Sequence, residues 1–298
     1  MEEVLKMKVF KSEEGKKSVL ESYDKLVAQW GVDTEEKFIE TKFGKTHVFL
    51  VGDKSNPPLL MFHGVGDNSA VMWVMNMHEL SQHFYCIAID TLGGPGKSEP
   101  NDHYVKNEFN IIGWINDLVR QLKLDRFYMV GVSHGAYLVF LYTTHEKEKV
   151  IKTVCIEGGI ITNPLRSMIR TLMLAFPEIL IPTRKNIIKI MKKMKPGSDL
   201  FEKHPEVIDH MVLVMKSHNQ VAMTPHTLEK YNRDSGIAVR DKLYFLFGSN
   251  LQDKRNSVIE LLNEGQYSYK IFDGAGHGLN MEKPEMVNKE IVTYLNGQ

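Results

Sequence analysis

The stretch Phe127-Tyr128-Met129-Val130-Gly131-Val132-Ser133-His134-Gly135-Ala136-Tyr137-Leu138 decides how this chain is read. An apolar run leads into Gly-x-Ser-x-Gly, and apolar residues continue beyond it as they would in a helix. The serine is therefore expected on a sharp strand-to-helix turn. Such a turn holds its central residue at strained backbone angles and presses strand against helix, so side chains at the flanking positions would collide. The Ser133 hydroxyl would stand at the carboxyl end of a sheet, facing the unpaired N–H groups of a helix that begins at His134. To act as a nucleophile it still needs a base, an orienting acid and donors for a developing oxyanion.

Strands and helices alternate on either side of this turn. Leu59 to Phe62 is a continuous apolar run ending in His63-Gly64-Val65-Gly66, and Ser69 to Leu80 has helical spacing. Phe84 to Asp90 runs into a glycine-rich loop, Glu108 to Leu122 reads as a helix before the turn, and Val150 to Ile156 as the strand after it. This rhythm predicts a mostly parallel sheet with helices on both faces. Ahead of it, Lys37 to Phe43 and Thr46 to Val51 alternate around Gly44-Lys45, predicting an antiparallel hairpin at the sheet edge. Val19, Leu20, Tyr23, Leu26, Val27 and Trp30 recur at helical spacing and predict a docked amino-terminal arm.

Between Ile160 and Asp234 the alternation stops, and helical periodicity with many large apolar residues takes over. The expected organisation is a helical arm (1–36), a first core part (37–159), a helical cap (160–234) and a second core part (235–298). The cap's methionines suit either a pliable apolar ligand surface or a small core of its own. Its basic run, Arg184, Lys185, Lys189, Lys192, Lys193 and Lys195, reads as the solvated face of a helix. The last strands are expected at Leu243 to Phe247 and Tyr267 to Phe272. A final helix from Pro284 should place Met286, Val287, Ile291, Val292 and Leu295 inward.

In 298 residues, Lys+Arg and Asp+Glu both total 37. No global field favours nucleic acid or an anionic membrane, and neither partner is expected. The first residues lack a signal-peptide pattern and no apolar run is long enough to span a bilayer, so a cytoplasmic location is expected. Cys86 and Cys155 lie in apolar runs and read as reduced core residues. Gly96-Lys97-Ser98 lacks the earlier glycine of a phosphate-binding loop and is expected to be a surface turn. His204, His210, His218 and His226 do not have zinc-site spacing, and no metal or other cofactor is called for.

A base for Ser133 should be distant in sequence and near in space. His277, in Gly274-Ala275-Gly276-His277-Gly278 after the last strand, falls at the same sheet edge and is the candidate.

The order HGVG, GVSHG, GAGHG, with a helical insertion before the last two strands, resembles the α/β-hydrolase fold family. More narrowly, the amino-terminal arm with KFGKTHVFLVG and the helical cap is similar to Bacillus-type carboxylesterase-like serine hydrolases. The resemblance covers essentially the whole chain. It implies an ester-cleaving serine hydrolase acting on a small molecule through an acyl-enzyme, with Ser133 as nucleophile and His277 as base. It also implies an oxyanion hole built from the N–H groups of Val65 and His134.

The acid departs from the family pattern. It usually follows the penultimate strand three residues after a glycine, where this chain has Leu251. Two candidates stand: Asp253, two residues further on, and Glu157, directly after the strand ending at Ile156. Both keep the order Ser, acid, His, and Glu157 is preferred because a carboxylate in that position is costly unless paired. Hydrolysis of amides or C–C bonds on the same triad, or a ligand-sensing role with little turnover, are the alternatives the fold does not separate.

Overall fold

The computed structural model describes residues 8–250 and 256–297. Nine strands form one sheet: β1 (Thr34–Thr41), β2 (Gly44–Val51), β3 (Pro58–Phe62), β4 (Tyr85–Ile89), β5 (Glu99–Pro100), β6 (Phe127–Val132), β7 (Val150–Ile156), β8 (Leu243–Gly248) and β9 (Ser268–Phe272). Their order is β1-β2-β4-β3-β6-β7-β8-β9, with β5 pairing β2 off this path. From β4 to β9 every pairing is parallel, while β1 and β2 form an antiparallel edge. Leu59 to Phe62 and Cys86 to Ile89 are fully buried, as continuous apolar strands covered on both faces should be.

Thirteen helices are described: α1 (Glu13–Ala28), α2 (Ser69–Met72), α3 (Met77–His83), α4 (Ile111–Gln121), α5 (His134–His145), α6 (Pro164–Ala175), α7 (Arg184–Met194), α8 (Leu200–Lys203), α9 (Pro205–Ser217), α10 (Arg233–Ile237), α11 (Asn256–Glu264), α12 (Leu279–Glu282) and α13 (Pro284–Asn296). α1, α3 and α13 cover one face of the sheet, sharing a core with Phe49, Met61 and Val130. α4, α5 and α11 cover the other, around Phe62, Trp114, Met129 and Phe245. The amino-terminal arm is thus built into the main core. The Ser12 hydroxyl caps α1 by accepting from the Gly15 N–H at 3.0 Å, and Val19, Tyr23, Leu26 and Trp30 are buried beneath it.

Several local expectations are corrected. Thr41 pairs with Gly44, so the hairpin turns at Lys42-Phe43, two residues before the expected Gly44-Lys45. Gly44 instead opens β2 at φ 131°, where a side chain would strike the backbone of Glu99 and Pro100 on β5. Met286 is 52% exposed on α13, where Val287 and Ile291 are buried. Gly96-Lys97-Ser98 is no surface turn, since Ser98 is buried and its hydroxyl donates to the Asp90 carbonyl at 2.6 Å.

Between β7 and β8 the chain is helical, with no named strand among the described residues. Its apolar residues divide in two. Ile187, Ile190 and Met191 of α7 and Val207, Ile208, Met211 and Val212 of α9 join the core shared with α1, so this segment has no separate core. Leu165, Met168, Ile169, Leu172 and Met173 of α6 are exposed. Of the basic run, Lys195 is buried, contrary to the expectation of a solvated face, because it packs inward against the loop that carries His277. No helix among the described residues is long and apolar enough to cross a membrane. Cys86 and Cys155 are buried and free.

Candidate active site

Ser133 caps α5 at φ 56°, ψ −111°, a strained conformation for a residue with a side chain. The close approach behind it is real: a Cβ on Gly131 would collide with the Gly135 carbonyl, and one on Gly135 with the Phe62 backbone. The Ser133 N–H donates to the Ile156 carbonyl at 2.8 Å, which ties the turn to β7. One residue past Ile156, Glu157 also has positive φ, at 59°. Both strained residues thus stand at the carboxyl ends of adjacent parallel strands, and their side chains converge on His277.

His277 Nε2 lies 3.0 Å from Ser133 Oγ, and Nδ1 lies 3.4 Å from Glu157 Oε2. The Glu157 side chain is completely buried, and its Oε1 accepts from the Gly248 N–H at 2.6 Å. Gly248 ends β8, so the backbone at the penultimate strand holds the carboxylate that arrives from β7. The structure therefore brings Ser133, His277 and Glu157 together. Asp253 lies outside the described residues.

The His277 loop is held from two sides. The Glu282 carboxylate of α12 accepts from the N–H groups of Gly276 at 3.2 Å and Gly278 at 3.0 Å. From the inserted helices, the Met194 carbonyl accepts from the His277 N–H at 2.9 Å. A Cβ on Gly276 would meet Met194 O at 2.7 Å and Lys195 Cα at 2.8 Å, which explains a glycine beside the histidine.

Opposite the histidine, the His63–Gly66 loop crosses the serine, and a Cβ on Gly64 would lie 3.4 Å from Ser133 Cβ. The N–H groups of Val65 and His134 donate to no acceptor among the described residues. His63 is buried, accepting at Nε2 from the Thr91 N–H (2.9 Å) with Nδ1 2.8 Å from the Gly64 carbonyl. Burial lowers its pKa, so it is a neutral tautomer with its proton on Nδ1. It fixes the loop's carbonyl and links the ends of β3 and β4.

Sequence reasoning missed two features here. Asp67, half-buried on the same loop, has its carboxyl raised to about 6 by burial, partly offset by the charges of Lys195 and His277. The side chain of His134 lies 3.4 Å from His226 Nδ1, and the His226 pKa is lowered to about 4, chiefly by burial. Asp67, three residues beyond Gly64, could have been flagged as a carboxylate near the turn; nothing in the sequence marked His226. Among the described residues, no His/Cys/Asp/Glu group could hold a metal ion.

A family model described as the alpha/beta hydrolase fold matches residues 57–179. Carboxylesterase YbfK of Bacillus subtilis is 23% identical, covering 93% of each chain. The crystal structure of carboxylesterase CesB (YbfK) from that organism superposes with a TM-score of 0.75, at 22% identity, over 96% of this chain and 99% of the other. Naproxen esterase (carboxylesterase NP) from Bacillus subtilis superposes with a TM-score of 0.78, at 18% identity, over 96% of this chain and all of the other. Sheet order, strained serine turn and these likenesses agree: the chain has the α/β-hydrolase fold, and it resembles the Bacillus carboxylesterases.

Proposed function

We propose that the chain is a serine hydrolase that cleaves a small to medium carboxylic ester through an acyl-enzyme. The observation that carries this reading is His277 standing between Ser133 Oγ and a buried carboxylate. His277 Nε2 takes the hydroxyl proton as Oγ attacks the ester carbonyl, and the negative oxygen of the tetrahedral intermediate is held by the Val65 and His134 N–H groups. Collapse breaks the bond to the leaving alkoxide, which receives the proton from His277 and departs as alcohol. Water, deprotonated by His277, then attacks the acyl-serine and releases the carboxylic acid and free Ser133. Glu157 fixes the ring and stabilises the imidazolium.

On this reading α6 to α9, within 160–234, act as a cap over the sheet edge, and the curated relatives' carboxylesterase names point to ester substrates. The exposed apolar residues of α6 favour a hydrophobic acyl group. The test is hydrolysis of p-nitrophenyl esters of increasing acyl length by wild type and by Ser133→Ala. Ser133-dependent turnover that rises beyond acetyl supports the reading. Wild-type turnover no faster than Ser133→Ala overturns it and leaves a binding role for the pocket.

A further inference from the structure

Lys195 is only 3% exposed, and its Nζ has no hydrogen-bond partner among the described residues. An ammonium in that position is costly unless something satisfies it. The side chain folds over Gly278, where any Cβ would collide with Lys195 Cε and Nζ, one residue from His277. The Phe201 ring, 5.1 Å from Nζ, compensates the charge in part.

The second charged group near the reacting atoms is Asp67. The position of a Cβ on Gly64 is 3.3 Å from Asp67 Oδ2 and 3.4 Å from Ser133 Cβ, so this carboxylate flanks the nucleophile. Lys195 feels the charge of Glu282 first and of Asp67 next, but among the described residues it forms no ion pair with either. The other charged groups around His277 are already occupied: Glu157 by Gly248, and Glu282 by Gly276 and Gly278. An ammonium beside the His277 loop and a carboxylate beside Ser133 thus adjoin the reacting atoms without pairing to each other.

We propose that Lys195 and Asp67 form a polar subsite that binds a hydroxyl on the alcohol part of the substrate, making the preferred substrates esters of diols or polyols. The chemistry selects this group. An anion would be repelled by Asp67 and a cation by Lys195, whereas a hydroxyl accepts from the ammonium and donates to the carboxylate. The subsite adjoins His277, which must hand its proton to the leaving oxygen, so the hydroxyl belongs to the alcohol that leaves. The inference rests on the ester-hydrolysing reading above and goes further by naming the substrate class.

The test compares kcat/KM for ethyl butyrate, 2-hydroxyethyl butyrate and carboxymethyl butyrate in wild type, Lys195→Met and Asp67→Asn, with p-nitrophenyl butyrate as reference. A hydrogen bond to a charged group changes the rate by about tenfold or more. Wild type should favour the hydroxyethyl over the ethyl ester by about that factor, and each variant should lose most of the preference. A wild-type ratio near one, with p-nitrophenyl butyrate still hydrolysed, overturns the subsite alone, as does a preference for the carboxymethyl ester. Absence of p-nitrophenyl butyrate hydrolysis overturns the esterase reading and the subsite with it. The comparison is a ratio within one protein, and the wild-type and Asp67→Asn arms decide it even if Lys195→Met does not fold.

Discussion

Among the described residues two histidines meet a fully buried carboxylate, and they differ in what the second ring nitrogen faces. In one, His277 Nδ1 meets Glu157 while Nε2 meets the Ser133 hydroxyl. In the other, His47 Nδ1 lies 3.0 Å from Asp90 and Nε2 lies 2.9 Å from Glu36, so both nitrogens are taken by carboxylates. Burial alone would lower the His47 pKa, but the hydrogen bonds and charges of Asp90 and Glu36 outweigh it and the pKa is raised. Asp90 also accepts from the Tyr23 hydroxyl at 2.8 Å and from the N–H groups of Ser69 and Lys97. On the proposed reading, the same two residue types make a proton shuttle where one nitrogen faces a hydroxyl, and they make a cross-link between α1, β2 and β4 where neither does.

The largest effect that could break this comparison is on catalysis. His277→Gln and Ser133→Ala should each lower kcat for p-nitrophenyl butyrate on the order of 10⁴-fold with little loss of stability. His47→Gln should do the reverse, lowering the thermal midpoint while kcat of the folded fraction stays within about tenfold. A catalytic loss at His47 comparable to that at His277 would show that the two pairs are not separate in function. Next in size comes the acid. Glu157→Gln, which keeps a hydrogen-bonding group beside Nδ1, should cost about 10²- to 10⁴-fold in kcat. A loss under tenfold would remove Glu157 from the role assigned to it.

These two pairs also mark how far the sequence could be read. Ser133 and His277 were legible because each lies in a glycine-bounded turn after an apolar strand, and the glycines report close backbone approach. Glu157 was legible only as one of two carboxylates, since what favours it is the Gly248 N–H aimed at it from β8, a contact across the sheet. The mostly parallel sheet covered by helices followed from the alternation of strands and helices, whereas the hairpin turn was misplaced because Gly44 serves packing against β5 and not the turn itself. His47 and Lys195 were not legible. His47 sits in an apolar alternating strand, and its partners Asp90 and Tyr23 come from distant elements. Lys195 belongs to a basic run, and only the turn at the end of α7 folds it inward.

The two pairs should also be separable by pH. His47 has a folded pKa above its unfolded value of about 6.5, so its contribution to stability is complete below that pH and is lost as pH rises through the raised value. Asp90 works in the opposite direction. Burial would raise its pKa, but the hydrogen bond and charge of His47, with the Lys97 N–H, hold it well below the usual range. Its contribution is present above about pH 4 and is lost as pH falls. Wild type should therefore lose stability at both ends, and His47→Phe should flatten the alkaline limb of the midpoint-versus-pH curve. An alkaline limb unchanged by His47→Phe would mean that His47 is not the titrating group.

The smallest expected effect sharpens the comparison most, because it concerns the partner that makes His47 unlike His277. Glu36 is 41% exposed on its side chain and is shared with Lys97, which also reaches Asp24. Water screens such a pair, so Glu36→Gln should cost only tenths of a kcal/mol to about 1 kcal/mol near neutral pH. It should nevertheless move the alkaline limb to lower pH, because one of the two carboxylates that hold the proton on His47 becomes neutral. Glu36→Gln leaves a side-chain amide that can still meet Nε2, so the shift reads charge and not the loss of a contact. If the limb stays in place, Asp90 alone holds His47 in its charged form, and the second carboxylate is only a surface neighbour.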